Sequence, residues 1–178
     1  MGTEGDLEGR EESAFLSCSK IESWEGTAWT KAASPASDGE PDDVLQTCFP
    51  LPIFLARLRA ALEAFSMGEF EYLPIRVIRS DGSELPGFCI ANVLTCVDGL
   101  DLFRSEYSRF PDDYFTEPRR GHIRAIKRAV LKSGLIGGKH VIRLSRYRPP
   151  LYVSESFGRL FQKGNFTGYE FREVELSE

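Results

Sequence analysis

Apolar residues recur at helical spacing through 51–65: Leu51, Leu55, Leu58 and Leu62, with Arg57, Arg59 and Glu63 between them. The spacing predicts a helix of about 12 residues that stops near Met67 and Gly68, where a glycine can take the left-handed turn. Residues 70–78 (FEYLPIRVI) then alternate bulky and polar side chains, the period of a strand. Pro74 has no amide hydrogen for a ladder, so that strand belongs at an edge or a bulge. Asp81-Gly82 marks a turn within 79–87, and 88–97 is nearly all apolar or small, as a buried strand would be. Residues 98–111 (DGLDLFRSEYSRFP) mix acids with Leu100, Leu102, Phe103, Tyr107 and Phe110, and 112–118 read as loop. Ile123, Ile126 and Val130 fit a helical stripe, yet 123–131 fits a strand as well. Residues 133–138 (SGLIGG) read as a turn and 140–144 (HVIRL) as a strand.

Upstream of residue 50 the periodicity fades. Residues 1–14 are dominated by Gly, Glu and Asp and read as disordered, and 34–43 (SPASDGEPDD) as an exposed loop. Trp24 and Trp29 lie between them, and such bulk predicts packing on the body. The expected division is a partly disordered acidic N-terminal region over 1–45 and an α+β domain over 46–178. Within the domain the end of the chain echoes its middle at a gapless offset of 99 residues. Pro50 matches Pro149, Leu58 matches Phe157, and Leu62 matches Phe161. Phe70, Glu71 and Tyr72 match Tyr169, Glu170 and Phe171, while Ile75 and Val77 match Val174 and Leu176. Two copies are too few for a solenoid. The expected fold is therefore a compact mixed α+β body with two similar helix–strand units and a loosely ordered N-terminus.

Composition narrows the class without naming an activity. The chain has 178 residues, 42% of them hydrophobic and 28% charged, with 13 phenylalanines. That supports one domain with a sizeable core and excludes a disordered chain, a collagen-like repeat and a disulfide miniprotein. No apolar run reaches the roughly 18 residues that a membrane helix needs. The acidic start lacks the basic and apolar regions of a secretory signal. The expectation is a cytoplasmic protein without membrane contact. Cys18, Cys48, Cys89 and Cys96 form no CxxC pair and match no zinc or haem spacing, so they read as small buried hydrophobes. With only His122 and His140 to add, neither a metal nor a cofactor is expected.

Charge is segregated. Residues 1–50 hold 11 acids against three bases, whereas 118–165 hold 12 bases against one acid, Glu155. The basic stretch can pair with acids inside the fold, or form a patch for a polyanion or an acidic partner. The net charge of −5 argues against nucleic acid as the main ligand.

Catalytic patterns are missing from the sequence. There is no GxSxG, GxGxxG or HExxH, and Gly134–Lys139 (GLIGGK) lacks both the spacing and the hydroxyl residue of a P-loop. A Cys89 or Cys96 thiol could meet His122, but no neighbour in sequence activates it. The densest constellation is Asp98, Asp101, Ser105, Glu106, Tyr107 and Arg109 among apolar residues. Charges in such a segment must be paired if buried, with Arg119, Arg124 or Lys127 as candidate partners.

These residues resemble the Imm-eleven type of immunity protein from bacterial polymorphic-toxin systems, formerly a domain of unknown function. The stretches that carry the resemblance are 51–77 (LPIFLARLRAALEAFSMGEFEYLPIRV), 92–111 (NVLTCVDGLDLFRSEYSRFP) and 140–176, with its VSESF and TGYEFREVEL segments. The run Asp-x-x-Asp-x-x-x-Ser-Glu-Tyr is its most specific part and makes Asp98, Asp101, Ser105 and Glu106 a family signature with a structural role. The resemblance implies a non-catalytic inhibitor that binds one cognate toxin, a protein partner, and keeps it inactive. An acidic inhibitor would meet a basic toxin quickly through long-range attraction. Glu69, Glu71, Asp112 and Asp113, near expected loops and strand edges, are the candidate contact acids. Two other readings stay open: an anion- or nucleic-acid-binding module using the basic stretch 119–163, and a small Cys/His enzyme.

Overall fold

Phe88–Val93 (FCIANV) has no charged side chain, and all six of its residues are buried. A strand with no wet face needs a neighbour on each edge and a layer over each side, and the fold is arranged around it. The computed structural model describes residues 5–32, 41–45 and 51–178. In chain order they form β1 (Gly5–Asp6), β2 (Trp29–Lys31), β3 (Val44–Leu45) and β4 (Ile53–Leu55), then α1 (Ala56–Ala64). β5 (Phe70–Pro74), β6 (Arg76–Ile78), β7 (Glu84–Leu85), β8 (Phe88–Val93) and β9 (Cys96–Val97) follow. The second half holds β10 (Glu106–Arg109), β11 (Ile123–Arg128), β12 (Val130–Lys132), α2 (Ser133–Ile136), β13 (Val141–Leu144), β14 (Tyr147–Val153), α3 (Glu155–Lys163) and β15 (Glu175–Ser177). The fold is α+β.

The short strands make several small sheets. β8 lies between β4 and β5 in the order β3-β4-β8-β5. A second sheet runs β1-β2-β6-β7, a third β14-β13-β9, and two ribbons pair β10 with β11 and β12 with β15. One core lies between the first two sheets and includes Leu7, Phe15, Ile53, Val77 and Ile90. A second gathers Leu58 and Leu62 of α1 with Phe157 and Phe161 of α3, over Phe54, Ala91 and Val93. A third, smaller core holds Leu100, Ile123, Leu131 and Leu144.

The N-terminal chain takes part in this packing. Leu7, Phe15 and Ala28 are buried. Trp24 meets Phe15 edge-on at 5.8 Å and donates from Nε1 to the Pro74 carbonyl at 3.0 Å. β2 pairs in parallel with β6, so strand pairing crosses the boundary expected near residue 45. Most of the loop expected at 34–43, together with Cys48 and Pro50, lies outside the described residues. Asp43, at the end of that loop, is buried.

Several elements differ from the sequence expectation for identifiable reasons. The helix begins only at Ala56, because Ile53, Phe54 and Leu55 extend to pair with Ile90, Cys89 and Phe88. The strand over 70–78 breaks after Pro74, the last residue of edge strand β5, and β6 continues in the other sheet. Residues 123–131 are extended, and the turn at 133–138 contains the short helix α2. The offset of 99 is kept by α1 and α3, nine residues each, and by β6 and β15, three residues each. It is lost between them, because 169–173, opposite β5, form no strand.

Candidate interaction surface

The run 98–106 closes the third core, and its polar groups are engaged inside the chain. Asp98 receives a two-pronged contact from Arg146, Nε to Oδ1 at 2.6 Å and Nη2 to Oδ2 at 2.8 Å. That guanidinium holds the Asp98 carboxyl below the ordinary aspartate range. Asp101 Oδ1 accepts from the amides of Phe103 (3.0 Å) and Arg104 (3.1 Å), which folds the chain into a turn. The nearby Ser177 hydroxyl, though it makes no hydrogen bond of good geometry, and then these amides keep its carboxyl low as well. Ser105 Oγ accepts from Val130 N at 2.9 Å and donates to Val130 O at 3.3 Å, so a side chain replaces one rung of a ladder. Glu106 accepts from Arg128 Nε at 3.2 Å and lies 3.8 Å from Lys127 Nζ. Arg128 also reaches Glu175 at 2.9 Å and the Arg104 carbonyl at 2.7 Å. One guanidinium thus ties β11 to β10, to the 101–105 turn and to β15.

The basic stretch is largely consumed in the same way. Arg143 is buried and pairs with no described carboxylate; its Nη1 donates to the carbonyls of Arg148 (2.7 Å) and Pro149 (3.0 Å), and burial lowers its pKa. Arg148 donates to the Leu16 carbonyl at 3.2 Å, and Arg159 pairs with Glu155 at 3.0 Å. Arg120 lies 4.0 Å from Glu117. Arg119 and Arg124 differ: they stand 5.9 and 6.0 Å from the Phe110 ring and make no ion pair with a described carboxylate. Most of the cations of 119–163 therefore have partners inside the chain.

The four expected contact acids fall on two elements. Glu69 is exposed just before β5, and its Oε2 accepts from Thr95 Oγ1 at 3.4 Å. Glu71 is half-buried on β5 and accepts from Ile21 N at 2.8 Å and Asn92 Nδ2 at 3.0 Å, which fastens the N-terminal chain to the sheet. Asp112 and Asp113 are exposed on the turn between β10 and β11. Around that turn stand residues that the sequence reading did not single out. Tyr114 lies 4.7 Å from the Phe110 ring and 4.4 Å from that of Phe115, and Phe115 is 83% exposed. The signal was present in the string FPDDYF, where three aromatics bracket an acidic turn that has no core to fill.

Cys89 is buried, its Sγ lies 3.6 Å from the Phe54 carbonyl, and burial pushes its pKa up to about 11. Among the described residues no hydrogen bond joins Cys89 or Cys96 to His122. Cys18 and Cys96 are neighbours, and burial followed by the adjacent thiol raises Cys18 to about 12. A thiol so rarely ionised is a poor nucleophile. His140 Nδ1 lies 2.9 Å from Ser154 Oγ, but that hydroxyl already caps α3 by accepting from Phe157 N at 3.2 Å. Among the described residues no three His, Cys, Asp or Glu side chains converge to hold a metal. No helix among them is long and apolar enough to cross a membrane.

A family model described as the immunity protein family (Imm11) matches residues 17–176. None of the curated proteins matches the chain.

Proposed function

The chain belongs to the Imm11 immunity protein family, and from that premise we propose that it binds one cognate bacterial toxin and holds it inactive without catalysis of its own. The observation that carries this reading is the extent of the match, 17–176, which takes in α1, α2 and α3 and the strands from β2 to β14. The physical chemistry supports it. The polar residues of the 98–106 run are engaged in holding the fold, and the Cys89 and Cys18 thiols are raised well above neutrality. Action in the cytoplasm of the toxin-producing or neighbouring cell follows from the same reading. Of the four expected contact acids, Glu69, Asp112 and Asp113 are exposed, while Glu71 is held by Ile21 and Asn92. The binding of nucleic acid through 119–163 is the weaker alternative, since most of those cations have internal partners.

Co-expression tests the function. Cells producing the cognate toxin should stop growing and should resume growth when the wild-type chain is supplied. Rescue that persists in a Cys89→Ala, Cys96→Ala, His122→Ala triple variant supports a binding role. Failure of the wild type to rescue, or rescue that depends on those three side chains, would overturn it.

A further inference from the structure

We propose that the ribbon of β10 and β11, with the turn that joins them, is the surface that seats on the toxin, and that it fits a protein patch offering carboxylates around an apolar pocket. The proposal rests on the inhibitor reading above and adds where the contact lies and what sign it has.

Most of the ribbon stands outside the three cores. In β10 and β11 only Ile123 is buried, and Tyr107 and Ile126 lean on the third core from its edge. A two-stranded ribbon alone is marginal in water. This one is fixed at its base by Ser105 on Val130 and by Arg128 on Glu106, Glu175 and Arg104. A fixed base with an exposed tip reduces the ordering that binding would otherwise require.

The tip carries side chains that anchor protein interfaces. Phe110, Tyr114 and Phe115 meet in sequence with their rings tilted at 44°, and the last is 83% exposed. Arg119 and Arg124 flank Phe110, while Arg109 lies 5.3 Å from the Tyr107 ring and donates to the Gly121 carbonyl at 2.7 Å. Tyr and Arg dominate interface hot spots, and aromatic residues are enriched in interface cores. The cations at the base, Lys127 and Arg128, are matched inside the chain; Arg109, Arg119 and Arg124 at the tip make no ion pair with a described carboxylate, although Asp112 and Asp113 share their turn. Guanidinium groups held over rings and left unmatched call for acceptors from outside. Those two aspartates, and the net charge of −5, weigh more against a continuous polyanion such as a phosphate backbone than against a local patch of carboxylates. Carboxylates on a protein are the chemistry that fits.

The test uses the full chain and the inactivated domain of its cognate toxin. Arg119→Glu with Arg124→Glu should weaken binding by ~100-fold or more, chiefly through slower association. Phe115→Ala should lose ~10-fold, through faster dissociation. Asp112→Lys with Asp113→Lys should tighten binding, because it removes two like charges from the face that meets the carboxylates, and Phe65→Ala, an exposed phenylalanine outside the ribbon, should match the wild type. Thermal midpoints check folding, and Arg119→Gln with Arg124→Gln replaces the reversal if that pair misfolds. If the wild type does not bind the domain, the inhibitor reading fails and this proposal with it. If the wild type binds and the ribbon variants bind equally, only the ribbon is wrong. Weakening by the aspartate reversals alone would mean a basic partner and overturn the assigned sign. Saturable binding of a 20-nucleotide oligo-dT that is lost with the arginines would replace the protein partner with nucleic acid.

Discussion

The chain around Asp43 and the ribbon of β10 and β11 both carry charge on short irregular segments, and they dispose of it in opposite ways. Asp43 has a side chain only 2% exposed. Its Oδ2 accepts from Arg57, from Thr167 N at 2.9 Å and from Thr167 Oγ1 at 3.4 Å. Arg57 goes on to the carbonyls of Gly164 (3.3 Å) and Asn165 (3.1 Å) and lies over Phe166. One carboxylate therefore joins α1 to the chain beyond α3, 124 residues away in sequence. On the ribbon Arg119 and Arg124 are exposed, meet the Phe110 ring and make no ion pair with a described carboxylate. Charge that holds the fold and charge that is left for a partner can thus be separated by what each deletion does to stability.

The largest effect belongs to Asp43→Ala. It leaves Arg57 and the Thr167 amide without their acceptor, and removing one partner of a buried pair costs about 3–5 kcal/mol. Arg57 is half-exposed, which places the expectation at the lower end. Urea unfolding measures it; a loss under about 1 kcal/mol would mean that the clamp is not needed. Gly168 sharpens the same point. It sits at φ 97°, and a Cβ there would come within 2.2 Å of the Val44 carbonyl oxygen, so backbone would have to move. Gly168→Ala should destabilise by about 2–4 kcal/mol through that clash and the left-handed backbone together.

Ser105→Ala lies between the two extremes. It removes the acceptor for Val130 N at the base of the ribbon, a half-buried hydrogen bond worth about 1–2 kcal/mol. Hydrogen exchange should then quicken at Val130 and along the ribbon before it does in β8. Equal acceleration everywhere would show that the base does not hold the ribbon separately.

Much of this contrast could not be read from the sequence. Phe88–Val93 was legible because a strand buried on both faces leaves a continuous apolar run. Pro74 was legible because a missing amide hydrogen restricts a strand to an edge. Ile53, Phe54 and Leu55 misled because three apolar residues before a helical stripe fit either element, and only pairing with β8 decides. Asp43 sits in a string of loop residues, and nothing in that string announces a partner at Thr167. For the same reason Arg146 was not among the candidates for Asp98, which lies 48 residues away. The family signature marked the base of the ribbon, while the exposed tip beyond it shows in sequence only as aromatics around two aspartates.

The pair Asp98–Arg146 should contribute little despite its good geometry, since both side chains are half-exposed. Arg146→Ala should cost no more than about 1 kcal/mol, less at high salt. The Asp98 carboxyl is held below its unfolded value, so its contribution is complete above the ordinary aspartate range, near 3.8, and is lost as pH falls through the lower folded value. The stability difference between wild type and Arg146→Ala should therefore be constant from neutral pH to about pH 5 and shrink only below about pH 4. A difference that vanished near pH 6 would point to another group.

The smallest effect is expected at the tip. Phe115 is 83% exposed, and Arg119 and Arg124 make only ring contacts. Exposed side chains without specific partners change stability by about 0.5 kcal/mol or less when replaced. Phe115→Ala should therefore unfold within that margin of the wild type, and removing an exposed ring can even raise solubility. Arg119→Glu with Arg124→Glu should behave alike, because Phe110 keeps its contact with Tyr114 after the flanking cations are gone. Urea unfolding of both variants beside Asp43→Ala makes the comparison direct. If the tip variants lost 2 kcal/mol or more, on the order of a core change, their side chains would be part of the packing, and the division between charge that holds the fold and charge that faces a partner would be wrong.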